Sequence, residues 1–403
     1  MSFQIKYVYD LVDKLSPSLK KIQGNLKKTS DSVKKTSQSF KSSSKTMKNS
    51  VVGVRSATSS LMDTAKRLLV TYVGFEALRK TINTLADFET AISKVKAVSR
   101  ASISEMKGLR KEARELGAVT QFTAGQVADG MAFLGMAGFT SNQILKSTAS
   151  VLDIAAAGQL GLGVAADISS NILTGFNLKA GEMVRIADAM AITAASANTN
   201  MFQLGDAMKF VAPVAAGAGM SLETAAAAIG VLSDSGLQGT MAGTGLRRII
   251  SELASPTKAA QKEIVKLGLT FKDINPQTNS LVDILAKLKP LAKDTGASFR
   301  VFGDRGAPAF QVLSNGIPKV VSLTKKMQQG KGAAKEMAKT MRDNLGGDIK
   351  SLYSAIESLT LSLGEAGLTD SLRATTQGFT RFFRALSGND EAYDKLTNLS
   401  KLL

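Results

Sequence analysis

Neither cysteine nor histidine occurs in the 403-residue sequence, and tryptophan is absent as well. Without thiols or imidazoles there are no disulfides, no zinc sites of the Cys/His kind, no thiol nucleophile and no Ser-His-Asp or Cys-His arrangement. Carboxylate-only mechanisms and Asp/Glu sites for magnesium or calcium survive that exclusion, but the acidic residues are scattered singly and form no D-x-D-x-D-G loop. They read as solvated helix faces. No enzyme, cofactor or metal site is expected. Proline is scarce, with 7, and aromatics make up 5%, against 35 glycines, a mixture that suits helices packed through small side chains better than a β-sandwich. Hydrophobic residues, at 44%, suffice for a core of domain size, so the expected class is all-α.

Long apolar runs are missing too. Lys6, Asp10 and Asp13 interrupt the N-terminal stretch, where a secretory signal needs about 7 to 15 apolar residues. The most apolar region, residues 211–232, is broken by Pro213, Ser221 and Glu223, which leaves no span of about 18 apolar residues for a membrane helix. The chain is read as soluble.

What is present is a repeat. Leu26, Val33, Phe40, Met47, Val54, Leu61, Leu68 and Phe75 occupy one heptad position in succession. The companion core position holds Thr29, Thr36, Ser43, Ser50, Ala57, Thr64 and Thr71, so each heptad has one apolar knob where a full seam has two. A sustained spacing of seven favours a left-handed supercoil, since 3.6 residues per turn otherwise carries the stripe around the helix. The expectation is a long helix that self-associates, weakly in isolation, with a helix folded back on its own chain as the competing reading.

Charge follows the same period. Lys20, Lys27, Lys34, Lys41, Lys48 and Arg55 each stand directly after the apolar position. Between positions 20 and 55 there are ten Lys/Arg and one acid, Asp31, which accounts for half of the formal net charge of +18. Such a stripe seeks a negative partner: nucleic acid, an anionic membrane or an acidic protein channel. Lysine dominates and Phe40 stands alone, whereas single-strand binders stack bases on aromatics and duplex readers favour arginine.

From about Ser102 the pattern changes to short helices announced by capping boxes, in which a Ser, Thr or Asn side chain covers one free amide and a Glu or Gln returns the bond. Ser102 with Glu105, Thr123 with Gln126, Thr140 with Gln143 and Asn200 with Gln203 are four such pairs. The first helix places Ile103, Met106, Leu109, Ala113 and Leu116 on one face and is expected to stop at Gly117; the second places Val127, Met131 and Leu134 and stops near Gly138. Further helices are expected over 142–157, 164–175, 181–197, 201–217, 222–235 and 241–254. Dense Ala and Gly from Ala149 to Gly245 raises packing of the membrane kind, but Asp153, Asp167, Asp188 and Asp206 recur through it and favour a soluble bundle. The Gly-rich stretch 236–248 lacks the G-K-[ST] ending and a preceding strand, and is read as a flexible helix connection and not a phosphate loop.

An ordered series of motifs remains. It runs Ala86-Asp87-Phe88-Glu89, Glu115-Leu116-Gly117, Thr123-Ala124-Gly125-Gln126-Val127-Ala128, Leu134-Gly135-Met136-Ala137-Gly138, Asp188, Ala218-Gly219-Met220-Ser221, residues 239–247, Phe302-Gly303 and the amphipathic residues 359–364. Taken in order, these resemble the N-terminal and central region of phage tail tape measure proteins, a family also found in prophages and phage-tail-like particles. The resemblance covers roughly residues 75 to 365. It implies a rod-like scaffold along which tube subunits polymerise, with chain length setting tail length. It implies as partners the tail tube subunits, tail assembly chaperones and baseplate or tail-tip proteins, with host membrane contact during DNA delivery, and as location the lumen of the virion tail, after assembly in the host cytoplasm.

At about 1.5 Å per residue, a helix over residues 19–88 makes a rod of roughly 100 Å. Its lysines complement an acidic lumen. The expected layout is an N-terminal segment (1–18), a basic heptad-repeat helix (19–100), an Ala/Gly-rich multi-helix core (101–255), a helical extension with Gly- and Pro-containing loops (256–345) and C-terminal amphipathic helices (346–403). Family members are commonly much longer, whereas this sequence stops at Leu403 within an apparently helical stretch, residues 392–403; a fragment, a short-tail version and a degenerate prophage copy stay open. The lack of His and Cys argues against the metallopeptidase and Cys-peptidase domains that some members carry, so no lytic activity is expected. Two other readings stand beside the scaffold: a basic nucleic-acid-binding coiled coil, and a membrane-active helical protein.

Overall fold

Capping chemistry sets most of the element boundaries. The computed structural model describes residues 75–363, and among them every regular element is helical. The first is α1 (Phe75–Ser99), followed by α2 (Ile103–Val119), α3 (Ala124–Met136) and α4 (Ser141–Gly158). Ser102, Thr123 and Thr140 cap the last three, and each box closes in both directions with Glu105, Gln126 and Gln143. Two donors otherwise lost at each helix start are thereby satisfied. α5 (Leu162–Gly175), α6 (Met183–Ser196) and α7 (Met201–Gly217) come next, α7 with the Asn200/Gln203 box. α8 (Leu222–Asp234) and α9 (Thr240–Ala254) complete the Ala/Gly-rich region.

Seven further helices follow: α10 (Lys258–Lys266), α11 (Phe271–Ile274), α12 (Leu281–Leu288), α13 (Thr295–Asn315), α14 (Ile317–Gln329), α15 (Ala333–Arg342) and α16 (Leu345–Leu363). The all-α expectation holds, and the helices expected from residue 142 to 254 lie within two residues of those observed. Two details differ. α2 runs past Gly117 to Val119, because Thr120 supplies an extended C-cap, and Ile103 is 79% exposed while Leu109 and Ala113 carry the buried face.

One connected apolar cluster runs from Leu85 to Leu361. α8 lies deep in it: Ala225 to Ala228, Ile229 and Leu232 have no exposed surface. A helix apolar on nearly every side has to be surrounded, and α6, α7, α9, α13 and α14 all contact α8. Buried hydroxyls inside these helices are satisfied locally, since Thr148, Ser169, Thr193 and Ser233 each donate to the carbonyl four residues back at 2.7–2.8 Å. Among the described residues no single helix is long and apolar enough to cross a membrane; α4 and α5 reach the required length only together, and they meet at 117°.

Candidate functional site

The motif residues converge on helix crossings. α9 begins at Thr240, so most of the Gly-rich stretch is helix and not a flexible connection, which corrects the sequence reading. The reason is packing. A Cβ on Gly243 would lie 2.3 Å from the carbonyl oxygen of Ala207, closer than side chains ever come, so α9 and α7 touch backbone to backbone there. On the other flank α9 packs against α13.

α13 is itself bent at Gly303, whose φ of 66° and ψ of −178° lie in a region essentially reserved for glycine. Arg248 of α9 straddles the bend: its Nε donates to the Phe302 carbonyl at 3.3 Å, and its Nη2 pairs with the buried Glu252 at 2.8 Å. Phe302, fully buried, stacks on Phe310 with centroids 4.4 Å apart. The two motif segments 239–247 and 302–303 therefore form one joint.

A second joint is ionic. Arg185 of α6 donates through Nη2 to Glu223 of α8 at 2.8 Å, with Nε bonded to the other carboxylate oxygen, and Nη1 reaches Glu182 at 3.1 Å. Burial pushes the Glu223 carboxyl up, but the Arg185 hydrogen bonds and charge, with Ser221, outweigh it and hold the group below its ordinary value. Asp188, one turn further along α6, is 6% exposed. Its carboxylate accepts from the backbone N–H of Gly332 at 2.8 Å and of Ala334 at 3.0 Å, at the start of α15. Asp188, Glu223, Glu252 and Glu263 are all buried, contrary to the expectation of solvated acids, because each is held by donors from elsewhere in the fold or a neighbouring turn.

Two open grooves flank the bundle near α16. One, of about 530 Å³, is lined by Lys107, Arg110, Lys111 and Arg114 of α2 with Ser358 of α16. Its charges are engaged: Arg110 pairs with Glu89 at 3.0 Å and lies over the Phe88 ring, Lys111 pairs with Glu115, and Arg114 donates to Ser362. In the other, burial raises the Glu357 carboxyl even though the Gly125 N–H donates to it at 3.1 Å. Among the described residues no group of three or more acidic side chains is close enough to hold a metal ion.

The seam residues Leu26, Val33, Phe40, Met47, Val54, Leu61 and Leu68, and the basic stripe Lys20, Lys27, Lys34, Lys41, Lys48 and Arg55, lie outside the described residues. Phe75, the last seam position, is the first residue of α1.

Residues 110–303, from within α2 to the bend of α13, match the family model described as phage-related minor tail protein. The chain belongs to that family through this central region. Two relatives extend the likeness. The tape measure protein of Pneumococcus phage Dp-1 is 35% identical over 282 residues, covering 68% of this chain and 24% of that protein. The probable tape measure protein of Escherichia phage P2 is 30% identical over 295 residues, covering 71% of this chain and 36% of its own length. The chain thus spans about a quarter to a third of the length of these curated relatives. No solved structure matches. The minor tail protein region contains both joints, and its last matched residue is Gly303, where α13 bends. The match to the family therefore falls on the residues that fix how helices cross, and the described side chains supply a scaffold with no assembled catalytic group.

Proposed function

We propose that this chain is a structural tail protein that acts as a tape measure: a helical scaffold inside the tail tube that templates tube polymerisation and sets tail length. The observation that carries the reading is the ordered likeness to two phage tape measure proteins over about 70% of the chain, joined to the uninterrupted heptad repeat upstream of the matched region. In this reading the chain has no enzymatic role. Copies associate through Leu26, Val33, Phe40, Met47, Val54, Leu61, Leu68 and Phe75, and the lysine stripe faces an acidic lumen. The partners are tube subunits around the rod, tail assembly chaperones before assembly and baseplate or tail-tip proteins at one end, and the rod contacts the host membrane as DNA is delivered.

Deleting the coding sequence from the particle's genome tests the role. The expected result is loss of tails of uniform length while tube subunits are still made. Uniform tails in its absence would refute it. The lumen charge has its own test: with Lys27, Lys34, Lys41 and Lys48 all changed to Glu, assembly is expected to fail, and normal tails would exclude the charge argument.

A further inference from the structure

α16 has one face in use and one bare. On the used face, Ser354 donates to the Phe122 carbonyl at 2.8 Å and to that of Gly117, and Leu361 is buried. On the opposite face Leu345 is 74% exposed, Ile349 45%, Leu352 58% and Ile356 52%. These four are spaced by four, three and four residues, and Leu359 and Leu363 continue the alternation in the sequence. That is the spacing of a coiled-coil seam over the whole helix, and an apolar stripe of this length marks a contact surface.

The sequence directly after α16 carries the complement. Gly364-Glu365-Ala366-Gly367 has the length and the glycines of a turn between antiparallel helices. Beyond it Leu368, Leu372, Thr375, Phe379, Phe382 and Leu386 repeat with the same spacing, and Thr375 alone is polar. Reflected about the middle of the turn, the two sets meet without any shift: Leu363 with Leu368, Leu359 with Leu372, Ile356 with Thr375, Leu352 with Phe379, Ile349 with Phe382, and Leu345 with Leu386. In every pair one residue holds the first and the other the second core position of its heptad, as antiparallel packing of two seams demands. At the positions flanking the two seams Asp348 is the one charged residue, so no like charges are opposed.

We propose that residues 368–386 fold back as an antiparallel helix on the exposed stripe of α16. A second copy of the chain is the competing occupant. The tethered segment prevails because a four-residue connection holds it at an effective concentration in the millimolar range. The proposal stands independently of the tape measure reading.

The absence of cysteine makes the test clean. In the full chain, Leu352→Cys with Phe379→Cys is oxidised beside a control pair, Leu352→Cys with Leu386→Cys, placed two turns out of register and beyond disulfide reach. The expected result is an intrachain disulfide in the first pair, at a yield about tenfold above the control, since disulfides form only at short Cα separations. Ile356→Cys with Thr375→Cys, in a layer that already tolerates a polar side chain, repeats the test without loss of a large residue and is expected to cross-link equally well. Covalent dimers instead of intrachain bonds would assign the stripe to a second copy. Equal yields in matched and control pairs, or none in either matched pair, would also overturn the proposal.

Discussion

Asp188 of α6 caps the start of α15, its two carboxylate oxygens accepting from the amides of Gly332 and Ala334 more than 140 residues along the chain. The carboxylate is buried and faces the positive end of that helix, so it both satisfies orphan donors and meets the dipole. Asp188→Ala is expected to cost about 3 kcal/mol, the range for lost hydrogen bonds to a charged group, and Asp188→Asn about half as much, since one acceptor remains. Urea unfolding monitored by circular dichroism measures both, and the amides of α15 should be the first to gain hydrogen exchange. A loss below about 0.5 kcal/mol for the alanine variant would show the cap to be dispensable.

The Glu223 carboxyl is held below its ordinary value of 4.5 by Arg185. A depressed acid contributes stability above the unfolded-state value and loses it as pH falls through the folded-state one. Thermal stability should therefore decline below about pH 4.5, and Arg185→Met should both lower stability at neutral pH and flatten that acid slope. Melting curves between pH 3 and 7 check this; an unchanged acid slope in the variant would assign the decline to other carboxylates.

Two glycines predict opposite signs. Gly243→Ala drives a methyl into the Ala207 carbonyl at the α7–α9 crossing and should cost about 1–3 kcal/mol. Gly217→Ala, in the last turn of α7 with nothing within 4 Å, should be neutral or stabilise by about 0.5–1 kcal/mol through lower unfolded-state entropy. Denaturant midpoints of the two variants decide the matter, and equal effects would contradict close packing at Gly243.

The fold was largely legible because much of it is local. A capping box such as Thr140 with Gln143 spans three residues, and the periodicity of Val127, Met131 and Leu134 spans two turns, so both stand in the sequence before any tertiary contact forms. What was hidden was long-range. Nothing near Asp188 announces Gly332, nothing near Arg185 announces Glu223, and the glycines at 239–245 suggest a loop by propensity until the Ala207 backbone is placed against them. The seam and the basic stripe are plain in the sequence as a seven-residue period, and they lie outside the described residues.

The central claim is that length along the heptad segment sets length in the particle. Whole heptads between Leu26 and Leu68 can be deleted or duplicated without disturbing the register of the apolar positions on either side, and tail lengths then read from electron micrographs. The account predicts a change of about 10 Å for each heptad, seven residues at 1.5 Å, with tails still uniform. Tails of unaltered length after removal of two or more heptads would contradict it.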